Sequence, residues 1–138
     1  MKTILTTAIL LLLATSCSVV PVTTMETQSV KQYVMVQSGE ASWYSTRCNG
    51  GTKTASGKRL QNHASTAAHK TLPFGTRVKV TNIKNGKSEI VTIQDDGPHV
   101  KNRIIDVTIG VAKRLGFYSN GVAQVKLEII ELGPKPKR

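Results

Sequence analysis

The phrases GEASWY at residues 39–44, TAAHKTLP at residues 66–73 and DDGP at residues 95–98 lie in one uninterrupted segment of the chain. A further phrase, RIID at residues 103–106, follows DDGP closely. Around these phrases, short runs rich in Val, Ile and Thr alternate with Gly, Pro and Asn, which is typical of strands joined by tight turns. The segment 39–132 is therefore predicted to form one small β domain.

The alternation of apolar and polar residues gives the strand positions. In TRVKVT, which begins at Thr76, Val78 and Val80 fall on one face. The next run, SEIVTI, pairs with it through Asn85-Gly86, because both turn residues tolerate a positive φ. Strands are predicted at residues 40–44, 76–81, 88–93, 104–107 and 122–130, and a helix at 109–115 that ends before Gly116. This pattern predicts a small β-barrel or sandwich with a short helix.

In this order and spacing the phrases resemble the rare lipoprotein A family, whose members carry a double-psi β-barrel and include bacterial lytic transglycosylases. The resemblance implies a mainly β fold, a six-stranded double-psi β-barrel with one or two short helices over residues 39–132. It also implies an enzyme that cleaves peptidoglycan glycan strands and leaves 1,6-anhydro-muramic acid ends. Two alternatives stay open: a non-catalytic peptidoglycan-binding lipoprotein on the same barrel, and a protein-binding scaffold.

Few carboxylates of the domain are candidates for acid catalysis. The outward faces of the predicted strands account for Glu89, Glu128 and Glu131, and Glu40, at the start of the first strand, is interpreted in the same way. This leaves Asp95, Asp96 and Asp106. Glycosidases that activate water use two carboxylates. In a lytic transglycosylase the 6-hydroxyl of the muramic acid attacks its own anomeric carbon, so one acid/base serves both steps.

The resemblance also assigns roles to single residues. Asp106 matches the aspartate of the family's Ile-Asp-Leu-Ser phrase, and Asp95 matches that of its Asp-Arg-Gly-Pro phrase. His69 matches a family histidine on the groove rim. Asp106 is thus the expected acid/base, and Asp95 and His69 are expected to orient the substrate or to tune the proton affinity of Asp106. The structural alternatives are that Asp95 caps the turn, that Asp106 bonds backbone amides, and that His69 is a rim histidine bonded to a neighbouring carbonyl. The expected substrate-binding residues are Tyr44, Thr54, Ser56, Lys58 and Asp96, while Trp43 is expected in the core.

Three positions depart from the family's pattern. Asp96 replaces an arginine, and a second anion beside Asp95 should raise the proton affinity of the pair. Lys58 stands where the family carries a glutamate, and a following family aspartate falls at or near Gln61. If those acids donate the proton in the family, this chain cannot cut glycan by the same route, although it could still bind it.

The N-terminus has the pattern of a lipoprotein export signal. Lys2 precedes an apolar run that is too short for a bilayer span of about 20 residues. The tetrapeptide Ala-Thr-Ser-Cys ending at Cys17 resembles a lipobox, although an ordinary secretory signal with an incidental cysteine is the alternative. We expect a signal peptide at residues 1–16, lipidation of Cys17, a flexible tether at 17–38, and anchoring to a bacterial membrane at the periplasmic face of the outer membrane.

The formal net charge of +11 predicts polyanionic partners. An exported chain with 4% aromatic residues argues against nucleic acid, which leaves lipid headgroups, the carboxylates of peptidoglycan and other acidic envelope polymers. Among these, the family resemblance implies peptidoglycan glycan strands, and the lipid anchor implies the membrane. Division-site proteins are partners that the resemblance suggests, and the chain is expected to be a monomer with a disordered basic tail at 133–138. No cofactor or metal is expected, because His63, His69 and His99 lack metal-ligand spacing.

Overall fold

The structure is a computed structural model that describes residues 35–47 and 52–135. Its elements are β1 (Val36–Tyr44), β2 (Thr66–Ala68), β3 (Arg77–Asn82), β4 (Ser88–Asp95), β5 (Arg103–Thr108), α1 (Ile109–Arg114) and β6 (Val122–Glu131). The predicted signal peptide, Cys17, most of the predicted tether and the end of the basic tail lie outside the described residues. In the described part, no helix has the length and apolar character needed to cross a membrane.

The strands close into a barrel in the order β1-β5-β2-β4-β3-β6. β1 runs parallel to β5 and β2 runs parallel to β4, while the other neighbouring strands are antiparallel. The prediction of a mainly β, six-stranded barrel with a short helix is confirmed. Parallel neighbours cannot be joined by a tight turn. The parallel neighbours β1 and β5 are accordingly far apart in sequence.

The inward face of each strand fills the barrel. The most deeply buried side chains, each at most 1% exposed, include Val78, Val80, Val91, Ile93, Ile105, Val107, Val125 and Leu127. Trp43 packs against this core as a partly buried side chain. Its ring lies 4.9 Å from that of Tyr118, and its Nε1 donates a hydrogen bond to the Tyr118 carbonyl. Trp43 therefore contributes to the core as predicted, but at its margin.

The local signals for the hairpin and the helix end are confirmed. β3 and β4 pair antiparallel, and Gly86 between them has a φ of +73°. Helix α1 is followed by Gly116 with a φ of +78°, a left-handed position that favours glycine. Both features depend only on neighbouring residues, which is why the sequence predicts them well.

Two strands differ clearly from the prediction, whereas the ends of the other elements lie within two residues of the predicted ones. β1 begins at Val36, four residues before the predicted start, because residues 36–39 pair with β6 from Val36 opposite Glu128 to Gly39 opposite Val125. β2 was not predicted as a strand: it has only three residues, too few for an alternating pattern, and is held between β4 and β5. In both places backbone pairing, rather than side-chain pattern, makes the strand.

Candidate active site

The site is built on the strand faces that point away from the barrel core. Ala41 and Ile105 are completely buried inside the barrel, so their neighbours Ser42 and Asp106 point to the opposite face. Ser42 lies opposite Asp106 in the β1–β5 pair, and Ala68 lies opposite Asp106 in the β2–β5 pair. Asp106 is therefore flanked by Ser42 of β1 on one side and by Ala68 of β2 on the other.

The Asp106 carboxyl group is partly buried and accepts a hydrogen bond from the Ser42 hydroxyl. Burial, the largest influence, raises the pKa of Asp106 above its ordinary value. The Ser42 hydrogen bond and the nearby charges of Arg103, His99 and Lys70 lower this pKa in part. Asp106 thus keeps its proton to a higher pH than an exposed aspartic acid, a property typical of catalytic acids.

Asp95 ends β4 and is 8% exposed. Its Oδ1 accepts hydrogen bonds from the backbone N–H groups of Ala55 at 2.8 Å and of Asp96 at 2.9 Å. Ala68 lies opposite Asp95 in the β2–β4 pair, as it does opposite Asp106 on its other side. Asp95 is therefore separated from Asp106 on β5 by the single strand β2, and it fixes the turn at residues 54–58 to the end of β4.

Replacing Asp95 should show how much of its role is anchoring. Asp95→Ala removes both hydrogen bonds to the charged carboxylate, and we expect it to lower the free energy of unfolding by about 1.5–3 kcal/mol. Asp95→Asn keeps an acceptor oxygen and should cost clearly less. Urea unfolding of both variants measures the difference; equal losses for the two variants would contradict the anchoring role.

The turn at residues 54–58 presents part of the predicted binding set to solvent. Thr54 is 6% exposed, and its hydroxyl bonds the Ser56 hydroxyl and the Lys58 carbonyl, each at 3.0 Å. The Ser56 side chain is half-buried and the Lys58 side chain is exposed. Thr54 accordingly shapes the turn, whereas Ser56 and Lys58 can reach a ligand.

His69 is 5% exposed, and hydrogen bonds fix both of its ring nitrogens. Nδ1 accepts from the backbone N–H groups of Thr71 and Leu72, each at 3.2 Å, so the ring proton lies on Nε2 and is donated to Gln37 Oε1 at 3.0 Å. Burial, and then the charge of Lys70, lower the pKa of His69. A neutral, fully bonded imidazole matches the alternative of a satisfied rim histidine and can act by holding the bend at residues 69–72.

Tyr44, predicted at the groove, is 9% exposed and packs against Leu60 and Ala68. Burial and the charge of Asp95 raise the pKa of Tyr44; nearby Thr66 offsets part of this, and Asp106 adds to it. The phenol therefore stays protonated near both carboxylates. Because its ring is covered, Tyr44 offers a sugar little surface for stacking.

A cationic rim, which we define as Lys70 and Arg103, lies near Asp106, and the His99 side chain lies beside it. Arg103 Nε is 3.4 Å from Glu40 Oε1, and His99 Nε2 is 3.6 Å from Oδ2 of the exposed Asp96. Open depressions of about 270 and 240 Å³ flank the bend at residues 69–72; Lys70 lines both, with Arg103 in the first and Asp96 in the second. The positive charge of Lys70 and Arg103 on this surface suits a ligand that carries negative charge.

Of the three predicted catalytic side chains, Asp106 is the one that is only partly buried, while Asp95 and His69 are held in specific hydrogen bonds. Sequence reasoning missed Ser42 and the cationic rim. Ser42 belongs to the first phrase, GEASWY, but its role depends on the β1–β5 pairing. Within 35–47 and 52–135, no three His, Cys, Asp or Glu residues cluster closely enough to hold a metal ion.

Comparison with known proteins places the domain in a family. The family profile that matches residues 36–127 is described as lytic transglycolase, on a double-psi β-barrel. Endolytic peptidoglycan transglycosylase RlpA of Neisseria meningitidis is 54% identical over 97 residues, which are 70% of this chain and 40% of that protein. The protein of the same name from Pseudomonas aeruginosa is 46% identical over 101 residues, 73% of this chain and 29% of that protein. The chain spans less than half the length of these curated relatives.

Solved structures share the fold at low identity. The Streptomyces papain inhibitor superposes with a TM-score of 0.57 and 18% identity, covering 72% of this chain and 98% of that chain. An expansin of Clavibacter michiganensis superposes with a TM-score of 0.56 and 18% identity, covering 74% of this chain and 54% of that chain. These likenesses support the barrel alone. The profile match, which covers well over half of the chain, confirms the predicted resemblance, and the chain belongs to the lytic transglycolase (RlpA-like) family of double-psi β-barrels.

Proposed function

We propose that this chain is a lytic transglycosylase that cleaves peptidoglycan glycan strands with formation of 1,6-anhydro-muramic acid ends, as part of cell-wall remodelling. The observation that supports this most is the partly buried Asp106 carboxyl group, whose pKa is raised and which Ser42 holds on the open face of the barrel. Relatives that match the same segment are named endolytic peptidoglycan transglycosylases.

The proposed reaction needs one proton-transferring group. Protonated Asp106 donates its proton to the glycosidic oxygen, and the bond from that oxygen to the anomeric carbon of muramic acid breaks. The 6-hydroxyl oxygen then bonds to the anomeric carbon, and the Asp106 carboxylate takes the hydroxyl proton, which restores the acid. No water is consumed, so the reaction does not need a second catalytic carboxylate, and Asp95 can stay bonded to Ala55 and Asp96.

Ser42 and the cationic rim would assist this cycle. When Asp106 has donated its proton, its negative charge is stabilised by the Ser42 hydroxyl and by nearby Arg103 and Lys70. The same positive charges attract a polymer that carries carboxylates. The rim thus attracts the substrate and stabilises the ionised form of Asp106.

Ser42 should set the pH at which the acid stops working. Because the acid must be protonated, kcat/KM falls as pH rises through the pKa of Asp106. Ser42→Ala removes a hydrogen bond that favours the ionised form, so the pKa of Asp106 should rise and this falling limb should move to higher pH. Ser42→Thr keeps the hydroxyl and should leave the limb near its wild-type position. An unmoved limb in Ser42→Ala would exclude the role.

The activity itself is tested by digesting purified sacculi, and glycan strands stripped of peptides, with the full chain. We expect anhydro-muramic ends in the soluble products, detected by mass spectrometry. Absence of these ends, with the protein still sedimenting with insoluble sacculi, would reject the enzyme. If the protein neither cuts the strands nor sediments with sacculi, a protein-binding scaffold is favoured instead.

A non-catalytic peptidoglycan-binding role is the second candidate, and the exposed cations favour it. Lys58 projects from the turn that Asp95 anchors, and Lys70 lies exposed near Asp106. Such a surface holds a carboxylate-rich polymer whether or not a proton is transferred. This candidate predicts salt-sensitive binding to sacculi with no anhydro ends.

We further propose that Cys17 carries a lipid and that the chain is anchored at the periplasmic face of the outer membrane. The support is the export pattern and the lipobox-like tetrapeptide that ends at Cys17. Several acyl chains anchor a protein far more firmly than one. Cys17→Ala should move the protein from the membrane fraction to the soluble fraction of the envelope; an unchanged distribution would contradict lipidation.

A further inference from the structure

A second cleft of about 500 Å³ lies on the other side of β1 from Asp106. Its walls include Lys84 and Asn85 from the turn between β3 and β4, Phe117 and Asn120 from the loop after α1, and Gln124 from β6. Ligand-binding pockets commonly measure about 300–1,000 Å³. The cleft is therefore large enough for a sugar unit and is separate from the site described above.

The walls of this cleft are fixed before any ligand arrives. The side-chain amides of Asn82 and Asn85 each donate a hydrogen bond to the Leu115 carbonyl at 3.0 Å, which joins the β3–β4 turn to the end of α1. A Cβ atom at Gly116 would lie 2.8 Å from Asn85 Nδ2, so the two segments are in close contact. Phe117, 1% exposed, supports the cleft from the core. A preformed cleft binds its ligand without the cost of ordering these groups.

The chemistry of the rim selects a polar ligand. The exposed amides of Asn120 and Gln124 each offer donors and an acceptor, and exposed Lys84 adds donors. Sugar hydroxyls and acetamido groups present the matching acceptors and donors. An apolar ligand would cover these groups without satisfying them, which costs free energy.

Backbone pairing connects the cleft to the acid. Ser42, which bonds Asp106, lies opposite Val122 of the cleft wall, and Glu40 lies opposite Gln124. Glu40 also contacts Arg103 of the cationic rim. Neighbouring strands are about 4.8 Å apart, so β6 is about 10 Å from β5 across β1. One extended glycan strand can therefore reach both places.

We propose that this cleft is a distal subsite for N-acetylated sugars of the same glycan strand that Asp106 cleaves, and that it gives the protein a preference for longer strands. The inference rests on the proposed function, since it needs a glycan at Asp106. It adds a second binding position, on the β6 side of β1, that the cleavage chemistry itself does not require.

The test is a triple variant of the full chain, Lys84→Ala, Asn120→Ala and Gln124→Ala, assayed on peptide-stripped strands sorted by length. We expect kcat/KM to fall about tenfold on long strands, because several hydrogen bonds to the ligand are lost. On the shortest fragments that are cleaved, the change should stay below about twofold. Lys79→Ala, which removes an exposed lysine from the outer face of β3, is the matched control and should match wild type on all lengths.

Equal losses on long and short strands, or no loss on either, would overturn the distal subsite. If the wild-type chain cuts no strand, the proposed cleavage is wrong. The role of the cleft is then tested by the affinity of the wild type and the triple variant for the same long strands. An affinity lowered about tenfold in the triple variant would then support the cleft as a glycan site, and an unchanged affinity would reject it. Thermal unfolding of each variant establishes that the fold is intact.

Discussion

Asp106→Asn is expected to reduce the formation of anhydro-muramic ends by about 10²–10⁴-fold, the usual contribution of a positioned acid. Asparagine has nearly the same shape and can still accept the Ser42 hydrogen bond, but it cannot donate a carboxylic proton. Sedimentation with sacculi should therefore persist. Release of soluble anhydro products, measured against time, gives the rate.

Glu131→Gln is the matched control for this variant, because Glu131 is an exposed carboxylate at the end of β6. It should cut at the wild-type rate. If Asp106→Asn kept more than about a tenth of the wild-type rate, the proton would have to come from another group, and the assignment of Asp106 would be wrong.

Asp106→Asn should also change how the stability of the protein depends on pH. The direction of this change distinguishes a catalytic carboxyl group from a structural one. The pKa of Asp106 is raised in the folded state, so its contribution to stability is fully present below the ordinary value of about 3.9 and is lost as pH rises through the folded pKa. Asp106→Asn has no such loss. Its melting temperature should exceed that of wild type at pH 7 and converge with it in acid; a lower value at pH 7 would indicate a structural carboxylate.

Phe117→Ala is expected to lower the free energy of unfolding by about 3–5 kcal/mol, the range for removing a buried phenylalanine. Phe117 is among the largest fully buried side chains, and its carbonyl accepts the N–H groups of Asn120 and Gly121. Small domains are stable by only about 5–15 kcal/mol. Urea unfolding should show a lower midpoint with an unchanged slope.

The adjacent Tyr118 provides the control. Its side chain is 38% exposed and stacks on Trp43, so Tyr118→Ala should cost no more than about 1.5 kcal/mol. The Tyr118 carbonyl that Trp43 bonds is backbone and is retained. Equal losses for the two variants would mean that the loop after α1 is not anchored through Phe117.

The sequence predicts those elements whose signal is local. The alternation around Val78 and Val80, the Asn85-Gly86 turn and the glycine after the helix all appear where expected. β2 and the first residues of β1 were not predicted, because their backbone pairs with distant strands while their side chains show no alternation. Closure of the barrel is a long-range property that short patterns do not carry.

The candidate site shows the same division. Asp106 could be singled out from its phrase, but Ser42 is 64 residues away in sequence and meets it only because β1 and β5 are parallel neighbours. Burial also redistributes the predicted roles: Thr54 and His69 are held inside hydrogen-bonded bends, whereas Lys70 reaches solvent. Such differences arise from how the loops pack on the strands.

In the proposed mechanism one carboxyl group on this barrel transfers the proton both ways, and water is not a reactant. Digestion of peptide-stripped strands in water enriched in oxygen-18, with the products weighed by mass spectrometry, tests this mechanism. We expect anhydro-muramic ends that carry no heavy oxygen. Reducing ends labelled at the anomeric carbon would show hydrolysis, which needs a second group to activate water, and would contradict the mechanism.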